Sequence, residues 1–151
     1  MDLNPDFKDM LLALKDANVD FLVVGAYAVA AHGYPRATGD LDIWIRADEG
    51  TAPRVMRALA AFGAPIGELS AADFSVPSLV FQIGIPPGRI DILTTISGVD
   101  FSDAWENRMH IRLDEITFDI IGRADLIRNK KTSGRPKDIA DVAALESSKN
   151  Q

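Results

Sequence analysis

The segment Thr38-Gly39-Asp40-Leu41-Asp42-Ile43-Trp44-Ile45 sets two acids at the head of an apolar run. Residues two apart on a strand share a face. Asp40 and Asp42 therefore project together from the start of a strand expected over 41–45. Like charges held close repel each other, and a cation between them removes the conflict. Magnesium takes oxygen ligands in an octahedron, usually one or two carboxylates plus substrate phosphates. So short and frequent a pattern, taken alone, more often means a turn acid at Asp40 and a solvated edge acid at Asp42.

A third acid narrows the choice. Asp91 stands alone in Arg89-Ile90-Asp91-Ile92-Leu93, an apolar strand pattern. Asp is disfavoured inside strands, and an unpaired buried carboxylate is costly. Either a salt bridge to Arg89 or another base answers it, or a metal shared with Asp40 and Asp42 does so, provided the two strands are neighbours. Upstream, Phe21-Leu22-Val23-Val24 runs into Gly25 and then Ala26-Tyr27-Ala28-Val29-Ala30-Ala31. A strand ending in glycine before a small-residue helix turns backbone N–H groups towards an anion. The same junction also serves as a packing device.

The rest of the chain supplies a frame for these residues. Phe7, Met10, Leu11 and Leu14 recur at helical spacing over 7–17. Asp48-Glu49-Gly50-Thr51 with Pro53 announces a helix that runs to Phe62 and stops at Gly63. Residues 64–77 read as loop. Strands are expected over 79–83 and 89–95, joined as a hairpin through Ile85-Pro86-Pro87-Gly88. A short helix over 101–107 precedes strands over 111–113 and 116–121, and helices over 125–131 and 136–147 end the chain. This order predicts a mixed α/β sheet with flanking helices and a C-terminal helical segment.

Length and composition set outer bounds. At 151 residues the chain suits a single domain, 1–151. It has 16 basic and 22 acidic residues, a net charge of −6, and no cysteine. This balance excludes a broad basic nucleic-acid-coating face, while a local basic patch from Arg36, Lys130, Lys131, Arg135 and Lys137 remains available for phosphates or an RNA end. Disulfide frameworks and thiol nucleophiles are excluded. Met1-Asp2-Leu3-Asn4-Pro5 lacks the features of a signal peptide, and no apolar run approaches the roughly 18–20 residues that span a bilayer. A cytoplasmic protein with no membrane partner is expected.

Taken together, Val23-Val24-Gly25-Ala26, Arg36-Ala37-Thr38-Gly39-Asp40-Leu41-Asp42 and Asp91 resemble the nucleotidyltransferase superfamily related to DNA polymerase beta. Lys130, Arg135-Pro136-Lys137-Asp138 and Asp141 extend the resemblance to its abortive-infection and toxin–antitoxin branch, with its small bacterial relatives. The similarity runs from about Asp20 to Leu145. It implies a nucleotidyltransferase fold, and transfer of a nucleoside monophosphate from an NTP to a hydroxyl with release of pyrophosphate. The acceptor would be a tRNA end, a small molecule or a protein, and a cognate antitoxin is an implied partner.

By the same resemblance, Asp40, Asp42 and Asp91 would hold Mg2+ or Mn2+, and Asp91 would help to deprotonate the acceptor. Gly25, Ala26, Arg36, Thr38, Lys130 and Asp138 would bind the nucleotide, Lys130 with a catalytic role. The chain departs from the family at Ala26, where glycine or serine is usual. The backbone N–H survives there, but no hydroxyl is available. A non-catalytic nucleotide- or protein-binding member of the same fold is therefore the alternative. His32, His110, Trp44 and Trp105 read as structural residues, and Gln82 as a core or substrate-contacting residue.

Overall fold

A computed structural model describes residues 3–34 and 39–148. Helix α1 (Pro5–Asp16) is capped by Asn4, whose side chain accepts from the Asp6 N–H at 2.8 Å. Its buried stripe is Phe7, Met10, Leu11 and Leu14, the four residues that set its period in the sequence. Strand β1 (Phe21–Val24) follows, buried along its whole length. Helix α2 (Gly25–Ala31), β2 (Leu41–Ile45) and α3 (Ala52–Phe62) come next. Gly63 ends α3 with a φ of 88°, a left-handed cap open to glycine at no steric cost.

Residues 64–77 are not wholly loop. A 3₁₀ helix, Ala71–Ser75, buries Phe74, and Ser70 and Asp73 form a capping box at its start. That Ser-x-x-Asp spacing is a helix-start signal, but the turn is too short to carry a hydrophobic period. Strands β3 (Val80–Ile83) and β4 (Ile90–Leu93) form the expected hairpin. Helix α4 (Phe101–Glu106) leads to β5 (Met109–Leu113) and β6 (Ile116–Ile120). β5 begins two residues earlier than its apolar pattern suggests, because Met109 pairs with Ile120. The chain continues through α5 (Arg123–Ser133) and α6 (Pro136–Ser148).

The six strands form one mixed sheet in the order β3-β4-β2-β1-β6-β5. β2 is antiparallel to β1 and parallel to β4. Alternation along the strands divides the core between the two faces. Val23, Ile43, Ile45, Ile90 and Ile92 pack on one side with Phe7, Leu14, Leu59 and Phe74. Leu22, Val24 and Trp44 pack on the other with Phe101, Ala104, Leu126 and Leu145. Asp42 and Asp91 have the parity of Val24 and Trp44. They therefore emerge on the face that the C-terminal helices cover, at the end of the sheet where those helices leave a hollow.

Candidate active site

Strand register brings the acids together. Asp42 is paired with Val24 on one side and with Asp91 on the other, so the two carboxylates are direct neighbours across parallel strands. Burial pushes the Asp42 carboxyl up to about 6, and the adjacent Asp91 and Asp40 charges add to the effect. Gly25 lies against this pair with a φ of +68°, and a β-carbon there would collide with the Asp42 carboxylate. Glycine is needed on both counts, conformation and space.

Asp40 precedes β2 and faces the β3–β4 turn. Its Oδ1 accepts from the backbone N–H groups of Gly88 at 3.2 Å and Arg89 at 3.1 Å. The Gly88 N–H also donates to the Gly39 carbonyl at 2.8 Å, so the turn and the acid loop are tied together. Arg89 bonds Asp91 through Nε at 2.8 Å and Nη2 at 3.2 Å, and its Nη2 lies 3.6 Å from Asp40 Oδ2. The salt bridge that the isolated Asp91 called for is thus present, within the acid cluster itself.

The opposite wall comes from α5 and α6. Lys130 is only 4% exposed, with its ammonium 3.2 Å from Asp138 and 3.0 Å from Asp141. Asp138 is fully buried and also accepts from Ser133 at 2.5 Å and Arg135 at 2.8 Å. Burial alone would raise its carboxyl, but bonds from Arg135, Ser133 and Lys130 hold it well below the usual carboxylate range. Asp138 therefore positions Lys130 and Arg135 from beneath.

A cavity of about 490 Å³ lies between the walls, lined by Gly25, Ala26, Asp40, Asp42, Asp91 and Lys130, with Arg89, Arg135, Lys137, Pro86 and Pro87 also contributing. A neighbouring hollow shares Gly25, Asp42, Lys130 and Arg135, and adds Thr95, Ser97, Asn129 and Ser133. The expected residues Gly25, Ala26, Asp40, Asp42, Asp91 and Lys130 thus converge. Arg36 and Thr38 lie outside the described residues.

Several residues weighed in the sequence stand elsewhere. Lys131 pairs with Glu146 at 2.8 Å on the surface. His32 is buried against the Ile121 carbonyl, and burial lowers its imidazole. His110 is exposed and pairs with Asp119. Trp44 is core, edge-on to Phe101, and Trp105 stacks on the same ring. Gln82 is exposed on β3 opposite Asp91, so it is no core residue.

Sequence reasoning missed Pro86, Pro87 and the site-facing role of Arg89. The local signal there was only that of a hairpin turn. What places that turn beside Asp40 is a contact between segments far apart in the chain.

The donor chemistry suits a hard cation. Magnesium completes a shell from one or two carboxylates with phosphate and water, and a cation would relieve the repulsion between Asp42 and Asp91. Among the described residues, no group of three or more His, Cys, Asp or Glu side chains is gathered to hold a metal ion. Asp40, the third acid, is committed to the turn amides and Arg89.

No protein-family model matches the chain, and no curated protein matches it in sequence. Solved structures do resemble it. The lincosamide antibiotic adenylyltransferase LnuA, in a lincomycin-bound structure, aligns with a TM-score of 0.61 at 17% identity, over 97% of this chain and 98% of that one. A protein from Thermotoga maritima assigned as a nucleotidyltransferase gives 0.57 at 14% identity, over 98% and 95%. An antigenic nucleotidyltransferase-like protein from Paracoccidioides brasiliensis gives 0.54 at 18%, over 93% and 74%. The chain shares the fold of these solved nucleotidyltransferase and nucleotidyltransferase-like structures. Among the described residues, no helix is long and apolar enough to cross a membrane.

Proposed function

We propose that the chain is a magnesium-dependent nucleotidyltransferase that moves a nucleoside monophosphate from an NTP to a hydroxyl and releases pyrophosphate. The observation that carries this reading is the in-register Asp42–Asp91 pair beside Gly25, facing the Lys130 and Arg135 wall. Asp42 and Asp91 would hold the magnesium ion, with Asp40 as the third acid. When bound, the ion supplies charge neutralisation at the reacting phosphate. The Gly25 and Ala26 backbone borders the phosphate region. Lys130, Arg135 and Lys137 offset the triphosphate charge, which is most of what phosphoryl transfer asks of a protein. Asp91 would help to take the proton that leaves the acceptor hydroxyl, as the resemblance implies. Arg36 and Thr38 join the nucleotide-binding set on the strength of the motif.

The acceptor we infer is a small hydroxylated molecule. The hollow beside the acids adds the neutral hydrogen-bonding groups of Thr95, Ser97, Asn129 and Ser133 to Lys130 and Arg135, a small mixed lining that suits a compact hydroxylated acceptor. LnuA, an adenylyltransferase of matching length with lincomycin bound, supports the same class. A toxin-type role would instead require an RNA or protein acceptor, and a cognate antitoxin would then be the partner.

The test is calorimetric titration of each NTP with and without magnesium, followed by pyrophosphate release across hydroxylated small molecules, RNA ends and proteins. Magnesium-dependent binding that Asp40→Ala/Asp42→Ala abolishes, with release driven by one acceptor class, is the expected result. The absence of nucleotide binding would overturn the proposal. Binding without release on any acceptor would favour the second reading, a non-catalytic member of the fold, which Ala26 supports.

A further inference from the structure

We propose that Arg89 is an exchangeable internal counter-cation of the acid cluster, holding Asp91 and Asp40 until metal and nucleotide arrive and then transferring its guanidinium to the phosphates. This rests on the nucleotidyltransferase reading above. The guanidinium takes both oxygens of Asp91, at 2.8 and 3.2 Å, and its Nη2 lies 3.6 Å from Asp40. Bidentate pairing of this kind is the strong form of an arginine–carboxylate contact. A divalent cation at Asp91 needs the same oxygens and repels the same charge, so its entry requires the guanidinium to leave.

The surroundings separate this arginine from an ordinary structural one. Lys130, on the facing wall, is fixed: its side chain is 5% exposed and clamped by Asp138 and Asp141. The Arg89 side chain is 27% exposed and borders the cavity. Its backbone is anchored independently, because its N–H donates to Asp40 and its carbonyl accepts from Leu41 at 2.9 Å. The side chain can therefore swing on a stationary main chain. The space open to it is the cavity that Lys130, Arg135 and Lys137 also line, where triphosphate charge would collect. The exchange swaps one anionic partner for another and frees Asp91, and then Asp40, as oxygen ligands.

Manganese(II) alone is the probe, titrated into the full chain without nucleotide and followed by calorimetry and by the paramagnetic signal of free ion. Arg89→Gln should bind Mn2+ roughly threefold to tenfold more tightly than the wild type, the range spanned by partly exposed to bidentate pairs. Arg89→Lys, which keeps charge without the fork, should fall between them. Mn2+ should also raise the melting temperature of Arg89→Gln more than that of the wild type, while Arg89→Gln weakens Mn2+-dependent NTP binding.

Equal or weaker Mn2+ binding by a folded Arg89→Gln would overturn the role of Arg89 and leave the functional reading standing. Failure of both proteins to bind Mn2+ at millimolar concentration would overturn both. Should Arg89→Gln not fold, the Arg89→Lys comparison decides by the same criteria.

Discussion

Asp42 and Asp91 are register partners across the parallel β2–β4 pair, so two carboxylates share one end of the sheet with only the width of a strand pair between them. Burial, with the neighbouring Asp91 adding to it, raises the Asp42 carboxyl to about 6. In the metal-free protein the folded state therefore holds a proton that the unfolded chain, with an ordinary Asp, has released. Between about pH 4 and 6 the folded state binds more protons, so stability falls as pH rises through this window. Asp42→Asn removes the penalty. It should stabilise the metal-free protein by about 1–3 kcal/mol at pH 7–8, and the gain should vanish below about pH 4. Urea unfolding at several pH values checks this, and the same variant should lose nucleotide transfer.

The Lys130–Asp138–Asp141 cluster behaves in the opposite way. Asp138 is held below its ordinary range, so its contribution is complete above about pH 4 and fades as pH falls further. Asp138→Ala leaves Lys130 buried with Asp141 as its remaining acid at this site and removes the acceptor of Arg135. A loss of about 1–3 kcal/mol is expected at pH 7, because buried bonds to Asp138 are lost while Asp141 still pairs Lys130. Denaturant titration measures it. A change under 1 kcal/mol would mean that Lys130 is better solvated than its burial implies.

Gly25→Ala combines a left-handed backbone with a collision against Asp42. A destabilisation of at least about 1–2 kcal/mol is expected. Nucleotide binding should be lost even where the fold survives, since relief requires Asp42 to move. Thermal melts and calorimetry on the same sample separate the two effects.

Ala26→Ser tests the one departure from the family motif. Ala26 lines the cavity beside Gly25, and serine there adds a single donor. NTP binding should tighten by roughly threefold to tenfold, the equivalent of one hydrogen bond. The fold should lose no more than about 0.5 kcal/mol of helix preference. Unchanged affinity would place the phosphates away from this residue.

Much of the frame was legible locally. The Phe7, Met10, Leu11 and Leu14 spacing located α1, and Gly63 marked the end of α3, because helical period and left-handed caps are properties of neighbouring residues. The 3₁₀ turn around Phe74 was not, since five residues cannot display a period. Asp40 and Asp42 could be placed on one face from their spacing alone, and Asp91 stood out as an acid in an apolar strand.

What the sequence by itself determined is therefore the order of the helices and strands, the 3₁₀ turn apart, and the alternation of their faces. Each of these depends on residues within a few positions of one another. The tertiary structure decided the register that sets Asp42 against Asp91, the return of the Pro86-Pro87-Gly88 turn onto Asp40, and the burial of Lys130 between Asp138 and Asp141. It also decided that Arg89 serves two acids at once. The strand register and the turn contact join segments far apart in the chain, and the shorter-range Lys130 and Arg89 pairs take their geometry from how the sheet and the C-terminal helices pack.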